Sequence, residues 1–146
     1  MTGYGFFKKR QRCDDQQMEC FVAAISTMLE VQLVAVGCRS VEDAAGKVNP
    51  RALGYIYGFI DAALQTIGQD MSDTSSGIPI TFQVLRRVFP GREEKYCQYL
   101  AERMGTDQVV TLAAVSGGQQ YLDFNNRKLS APMGLARCIL ETSDDG

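Results

Sequence analysis

The side chains best able to do chemistry in this chain sit close together, between Arg51 and Gln65. Tyr55 and Tyr57 supply phenols, Asp61 a carboxylate and Gln65 an amide, with Gly54 and Gly58 among them. At the helical period, Arg51, Gly54, Gly58, Asp61, Ala62 and Gln65 share one face, with Tyr55 and Tyr57 at its margins. Leu53, Ile56, Ile60, Ala63, Leu64 and Ile67 share the other, the main core face. Glycine inside a helix costs about 1 kcal/mol relative to Ala, so two glycines a turn apart point to close approach of another backbone. That backbone belongs to a neighbouring helix of the same chain or to a second copy, or else the strip forms a groove for a small ligand. The candidate binding residues are therefore Gly54, Tyr55, Tyr57, Gly58, Asp61 and Gln65.

Around this strip the usual catalytic partners are missing, and no catalytic residue can be assigned. The chain has no histidine, which removes the usual general base, the partner of Ser and Cys nucleophiles and the commonest transition-metal ligand. Cys13, Cys20, Cys38, Cys97 and Cys138 are odd in number and include no C-x-x-C pair, so neither a disulfide framework nor a zinc knuckle is signalled. No metal and no cofactor is expected. Cys20, Cys97 and Cys138 lie among apolar helical neighbours and read as small core hydrophobes, whereas Cys13 and Cys38 read as exposed. The adjacent acids Asp14-Asp15, Glu42-Asp43, Glu93-Glu94 and Asp144-Asp145 diverge on a helix or lie in a tail, unsuited to paired acid and base work. Gly68 to Gly77 is a polar linker without the spacing of a phosphate-binding loop.

At 146 residues, 45% of them hydrophobic, the chain suits one domain able to bury its own core. Residues 1–12 form a basic arm with Lys8, Lys9, Arg10 and Arg12, residues 13–141 a single helical domain, and residues 142–146 an acidic tail. A net charge of -2 lacks the basic character of nucleic-acid binders. The segment REEKYCQYLAER mixes acids with bases, so a nucleic-acid adaptor using Arg86, Arg87 and Arg92 is the least favoured reading. The apolar run from Cys20 to Cys38, behind KKRQR, has the outline of a signal anchor, but Glu30 lies near its middle and Asp14, Asp15 and Glu19 separate the two parts. A cytoplasmic chain with no membrane partner is expected.

The elements that must position the strip follow from periodicity and caps. Asp14 or Asp15 starts a helix carrying Met18, Phe21, Val22, Ile25, Leu29, Leu33 and Val36, which Gly37 stops. Ser40 and Asp43 outline a capping box for a short helical turn through Lys47. Asn49-Pro50 opens the helix of the strip, predicted to run to about Ile67. Thr81 opens another, ended by Pro90-Gly91, and a further helix runs from about Arg92 to Met104. Between 108 and 124 a helix competes with a small β-hairpin turning at Gly117-Gly118, and the helix is preferred because TLAA is a poor strand. A last helix begins at Ala131 or Pro132. The fold class is all-α, a compact bundle of five to six helices.

The segment LGYIYGFIDA resembles a helix of the small secreted Tai-type immunity proteins over some ten residues. The paired cysteines and leader of that family have no counterpart here, so the resemblance implies no activity. The residues lead to a non-enzymatic protein that acts through protein contacts, as a homodimer or with another protein. The alternatives are a small-ligand sensor or unassigned enzyme using a pocket around Asp61 and Gln65, and the nucleic-acid adaptor.

The cysteine and histidine inventory carries its own test. Thiol titration of the denatured, unreduced protein is expected to give five free groups, and elemental analysis no stoichiometric zinc. A titre well below five, or retained zinc after chelator-free purification, contradicts this reading.

Overall fold

The computed structural model describes residues 15–68 and 77–144, and the basic arm 1–12 with Cys13 lies outside them. Among the described residues there are six helices: α1 Asp15–Ala35, α2 Pro50–Thr66, α3 Gly77–Val88, α4 Glu93–Arg103, α5 Gln108–Asn125 and α6 Gly134–Asp144. The all-α expectation holds. The hairpin near 108–124 does not form: α5 runs unbroken through Gly117 and Gly118, and the only β pairing among the described residues is an isolated bridge between Glu42 and Val48.

The helix boundaries follow local chemistry. Asn49 Oδ1 accepts hydrogen bonds from the amides of Arg51 and Ala52, both at 3.1 Å, and Pro50 fills the first position, where its missing N–H costs nothing. Asp107 caps α5 in the same way, accepting from Val109 and Val110 at 3.0 and 3.3 Å. Beyond α1, Gly37 takes φ 68, a left-handed conformation that lets the amide of Cys38 reach the Leu33 carbonyl.

Three boundaries differ from expectation, the smallest difference being at α6, which starts at Gly134 and not at Ala131 or Pro132. The turn of helix through Lys47 is absent, because Asp43 Oδ1 instead accepts from Ala45 and Lys47 amides at 2.9 and 2.8 Å and folds the segment into a tight polar turn. Helix α3 begins at Gly77, four residues before Thr81, which is therefore buried inside the helix and not its cap.

Helix α2 is the hub. It touches each of the other five helices and is buried almost all round, from Ala52 to Leu64. Val22, Ile25, Leu29 and Leu33 form the inner row of α1, while Val84, Leu85 and Phe89 from α3 and Leu135 and Ile139 from α6 complete the core. Phe59 joins Tyr55 at 5.8 Å and Tyr121 edge-on at 5.2 Å between ring centres, linking α2 to α5. Cys97 and Cys138 are half-buried, but Cys20 is exposed and Cys38 packs partly into the core. Both differences arise because the inner row of α1 passes through Val22 and Ile25, turning Cys20 outward, and because the chain folds back on the core after Gly37.

The segment between α1 and α2 is tied to α4 by charge. The Glu42 side chain, 7% exposed, meets Lys95 Nζ at 3.1 Å and Arg92 Nη1 at 3.8 Å, and Lys95 also donates to the Gly46 carbonyl at 3.1 Å. Burial pushes the Glu42 carboxyl up, but Lys95, the Tyr96 hydroxyl and Arg92 outweigh it, and the net effect is a lowered pKa. A carboxylate whose folded pKa lies below its unfolded value stabilises the fold above the ordinary carboxylate range and loses that contribution as pH falls through the folded value. Glu42→Gln is therefore expected to lower stability near pH 7 by no more than about 1 kcal/mol, the scale of a partly exposed ion pair. The gap in Tm between Glu42→Gln and the parent chain closes on acidification below pH 4; a constant gap from pH 7 to pH 3 contradicts the assignment.

Candidate functional site

The strip of small residues on α2 is covered from within the chain by α5. A Cβ built on Gly58 would lie 2.5 Å from the carbonyl carbon and 2.7 Å from the Cα of Ala114, and its carbonyl oxygen is nearer still. At Gly54 the same atom would meet the Val110 carbonyl and, at 3.0 Å, the Ala113 methyl. The relation is reciprocal, since a Cβ on Gly117 of α5 would lie 2.9 Å from the carbonyl carbon of Tyr55. Real Cβ atoms do not approach backbone this closely, so the two helices cross in direct main-chain contact. Of the three occupants open to the strip from its sequence, the neighbouring helix of the same chain is the one present.

This crossing disperses the six candidate residues. Gly54, Gly58 and Tyr55 are buried, Tyr57 and Asp61 are partly exposed, and Gln65 is exposed. Gln65 Nε2 donates to Asp61 Oδ2 at 3.1 Å, an ordinary pairing one turn apart on the surface. The Tyr57 hydroxyl is pushed up by burial and by the nearby Asp61 charge, and so stays a neutral phenol at physiological pH.

Tyr55 instead anchors a buried polar network. Its hydroxyl donates to Gln120 Oε1 on α5 and accepts from Gln32 Nε2 on α1 at 3.5 Å. The two amide oxygens cap the next helix: Gln120 Oε1 accepts from the Gly134 amide at 2.6 Å and Gln32 Oε1 from the Leu135 amide at 2.8 Å. Two first-turn donors of α6, which have no partner within the helix, are thus satisfied by side chains from α1 and α5. Burial pushes the Tyr55 hydroxyl up to about 12, against the smaller opposing effect of the Gln32 hydrogen bond. It is a hydrogen-bond donor, not a base. Sequence reading missed this network, although Gln32, a single amide between Leu29 and Leu33 on the inner row of α1, was its visible signal.

With one face of α5 committed to α2, its other face meets solvent. Val109, Leu112, Val115 and Leu122 are 44%, 59%, 66% and 39% exposed and form a row at helical spacing. Beside it lies a shallow hollow of about 500 Å³ lined by Leu112, Val115, Ser116, Gln119, Gln120, Asp123 and Leu129. Two other hollows, of about 430 and 410 Å³, border α4 and are lined by polar groups such as Glu102 and Arg103, or Lys95 and Gln98. Among the described residues no three His, Cys, Asp or Glu side chains gather in a way that could hold a metal ion. The segment Gln16–Ala35 is long and apolar enough by composition to cross a membrane, and its inner row packs in the core.

Comparison of the chain with known protein families, with curated proteins and with solved structures finds no match.

The crossing predicts an unusual sign for a helix substitution. Ala is a better helix former than Gly by about 1 kcal/mol, so Gly58→Ala on an open face would stabilise the protein. Against the Ala114 backbone it is expected to destabilise by about 1 to 3 kcal/mol, and Gly58→Leu by more. Gly118→Ala, whose Cβ would meet the Gly58 carbonyl oxygen at 3.3 Å, should cost far less. Denaturant unfolding reads all three; a stabilised Gly58→Ala variant contradicts the crossing.

Proposed function

We propose that this chain works through protein–protein contact, without catalysis, and that the outer face of α5 is its contact surface. The row Val109, Leu112, Val115 and Leu122 beside the 500 Å³ hollow carries this reading. Single exposed apolar residues are ordinary, but four of them along one side of a helix, with polar side chains between and around them, have the character of an interaction surface. No charged residue interrupts the helix from Gln108 to Leu122, in keeping with the depletion of charge at interface cores. Tyr55 of α2 is occupied structurally, its hydroxyl donating to Gln120 and accepting from Gln32, which leaves it no free role in chemistry at this strip. A cytoplasmic location, with neither membrane nor nucleic acid as partner, belongs to the same proposal.

A photoreactive amino acid placed at Leu112 of the full chain in expressing cells tests it. Illumination is expected to give one or a few discrete protein adducts, and the same probe at exposed Lys47 is expected not to give them. The same adduct pattern at both positions, or none at Leu112, would overturn the reading.

A further inference from the structure

We infer that the partner on the outer face of α5 is a second copy of this chain, docked with its own α5 antiparallel to the first. This rests on the contact reading of that face.

A two-fold axis through a point between Val115 and Ser116 brings the exposed row of α5 against the same row of a second copy. An antiparallel copy centred there sets Val109 opposite the partner's Leu122, Leu112 opposite the partner's Gln119 and Val115 opposite the partner's Ser116. In such a two-fold contact each pairing occurs twice. The same symmetry seats the partner's Leu112 in the hollow beside Gln119 and Leu129, while Leu112 enters the equivalent hollow of the other copy.

Charge selects the direction. The N-terminal end of α5 is flanked by Glu102, Arg103 and Asp107, net negative with Arg103 paired to Asp107 at 3.4 Å, and its C-terminal end carries Asp123 and is followed by Arg127 and Lys128, net positive. Antiparallel docking places each end against its opposite, whereas parallel docking places like ends together, so complementarity at the rim fixes orientation. The centre, uncharged from Gln108 to Leu122, offers nothing to a strongly charged partner but suits another copy of itself. Helix α1 also exposes Val31 and Val34, at 59% and 77%, but Glu30 adjoins them.

Sedimentation equilibrium of the full chain tests the proposal. At about 100 µM, with a Kd on the order of 10 µM as befits a small interface, the average mass is expected to lie nearer twice 16.1 kDa than 16.1 kDa and to fall on dilution. Leu112→Glu, which sets a carboxylate near the partner's Asp123, is expected to weaken association at least tenfold with far-UV circular dichroism unchanged. Orientation is read by oxidative cross-linking with peptide mapping: Val115→Cys joins to itself, and Val109→Cys joins only when Leu122→Cys is also present. A monomer at 100 µM, self-joining of Val109→Cys, or a dimer that Val34→Glu breaks and Leu112→Glu leaves intact overturns the inference. A monomeric chain whose Leu112 probe still captures a different protein sinks self-association alone. Loss of both results sinks the contact reading as well.

Discussion

Everything in this bundle depends on how closely α2 and α5 approach. Gly54 and Gly58 present bare backbone to the carbonyls of Val110 and Ala114, and Gly117 presents bare backbone to the carbonyl of Tyr55. Each of these glycines weakens its own helix by about 1 kcal/mol relative to Ala, a loss that must be offset by contact. The offset comes from dense main-chain packing and from Cα–H groups facing carbonyl oxygens, worth about 0.5–1 kcal/mol each. Because α2 touches every other helix, the placement of its glycine face orients the whole bundle.

The polar core is a consequence of that approach. Once α5 lies against α2, Gln120 falls within reach of the Tyr55 hydroxyl, and Gly134 of α6 can pass the Tyr55 ring, where a side chain would strike Cε2 and the Gln120 amide. Gln32 closes the set from α1, so one phenol and two amides join four helices. Buried groups of this kind stabilise only when fully partnered, and an altered helix register would leave several of them unpaired. The network therefore restrains the arrangement of α1, α2, α5 and α6 more narrowly than apolar packing alone.

The same constraint determines which side of α5 is left exposed. A helix that packs chiefly against one neighbour must turn its opposite side outward, and on α5 that side carries Leu112 and Val115. Of the candidate residues of α2, Tyr55 is taken up by the network and the glycines by the crossing, while Gln65 pairs with Asp61 at the surface. Glu42 plays a comparable part at the periphery, holding the segment after α1 onto α4 through Lys95 and Arg92.

By itself the sequence determined the helical class, the stop at Gly37, the start at Asn49-Pro50, and the need for something to lie against Gly54 and Gly58. These are local or periodic properties, encoded in caps, backbone freedom and the spacing of apolar residues. What lies against the glycines was decided by tertiary structure, because a strip of small residues has the same pattern whether the approaching backbone belongs to its own chain or another. The helical state of 108–125 was settled in the same way. Gly117-Gly118 suits a hairpin turn in isolation, and the close fit of Gly117 against Tyr55 makes the helix the better solution. The pairing of Gln32 with Tyr55, Gln120 and α6 was likewise beyond sequence reading, since it joins residues up to 103 positions apart through the geometry of the assembled helices.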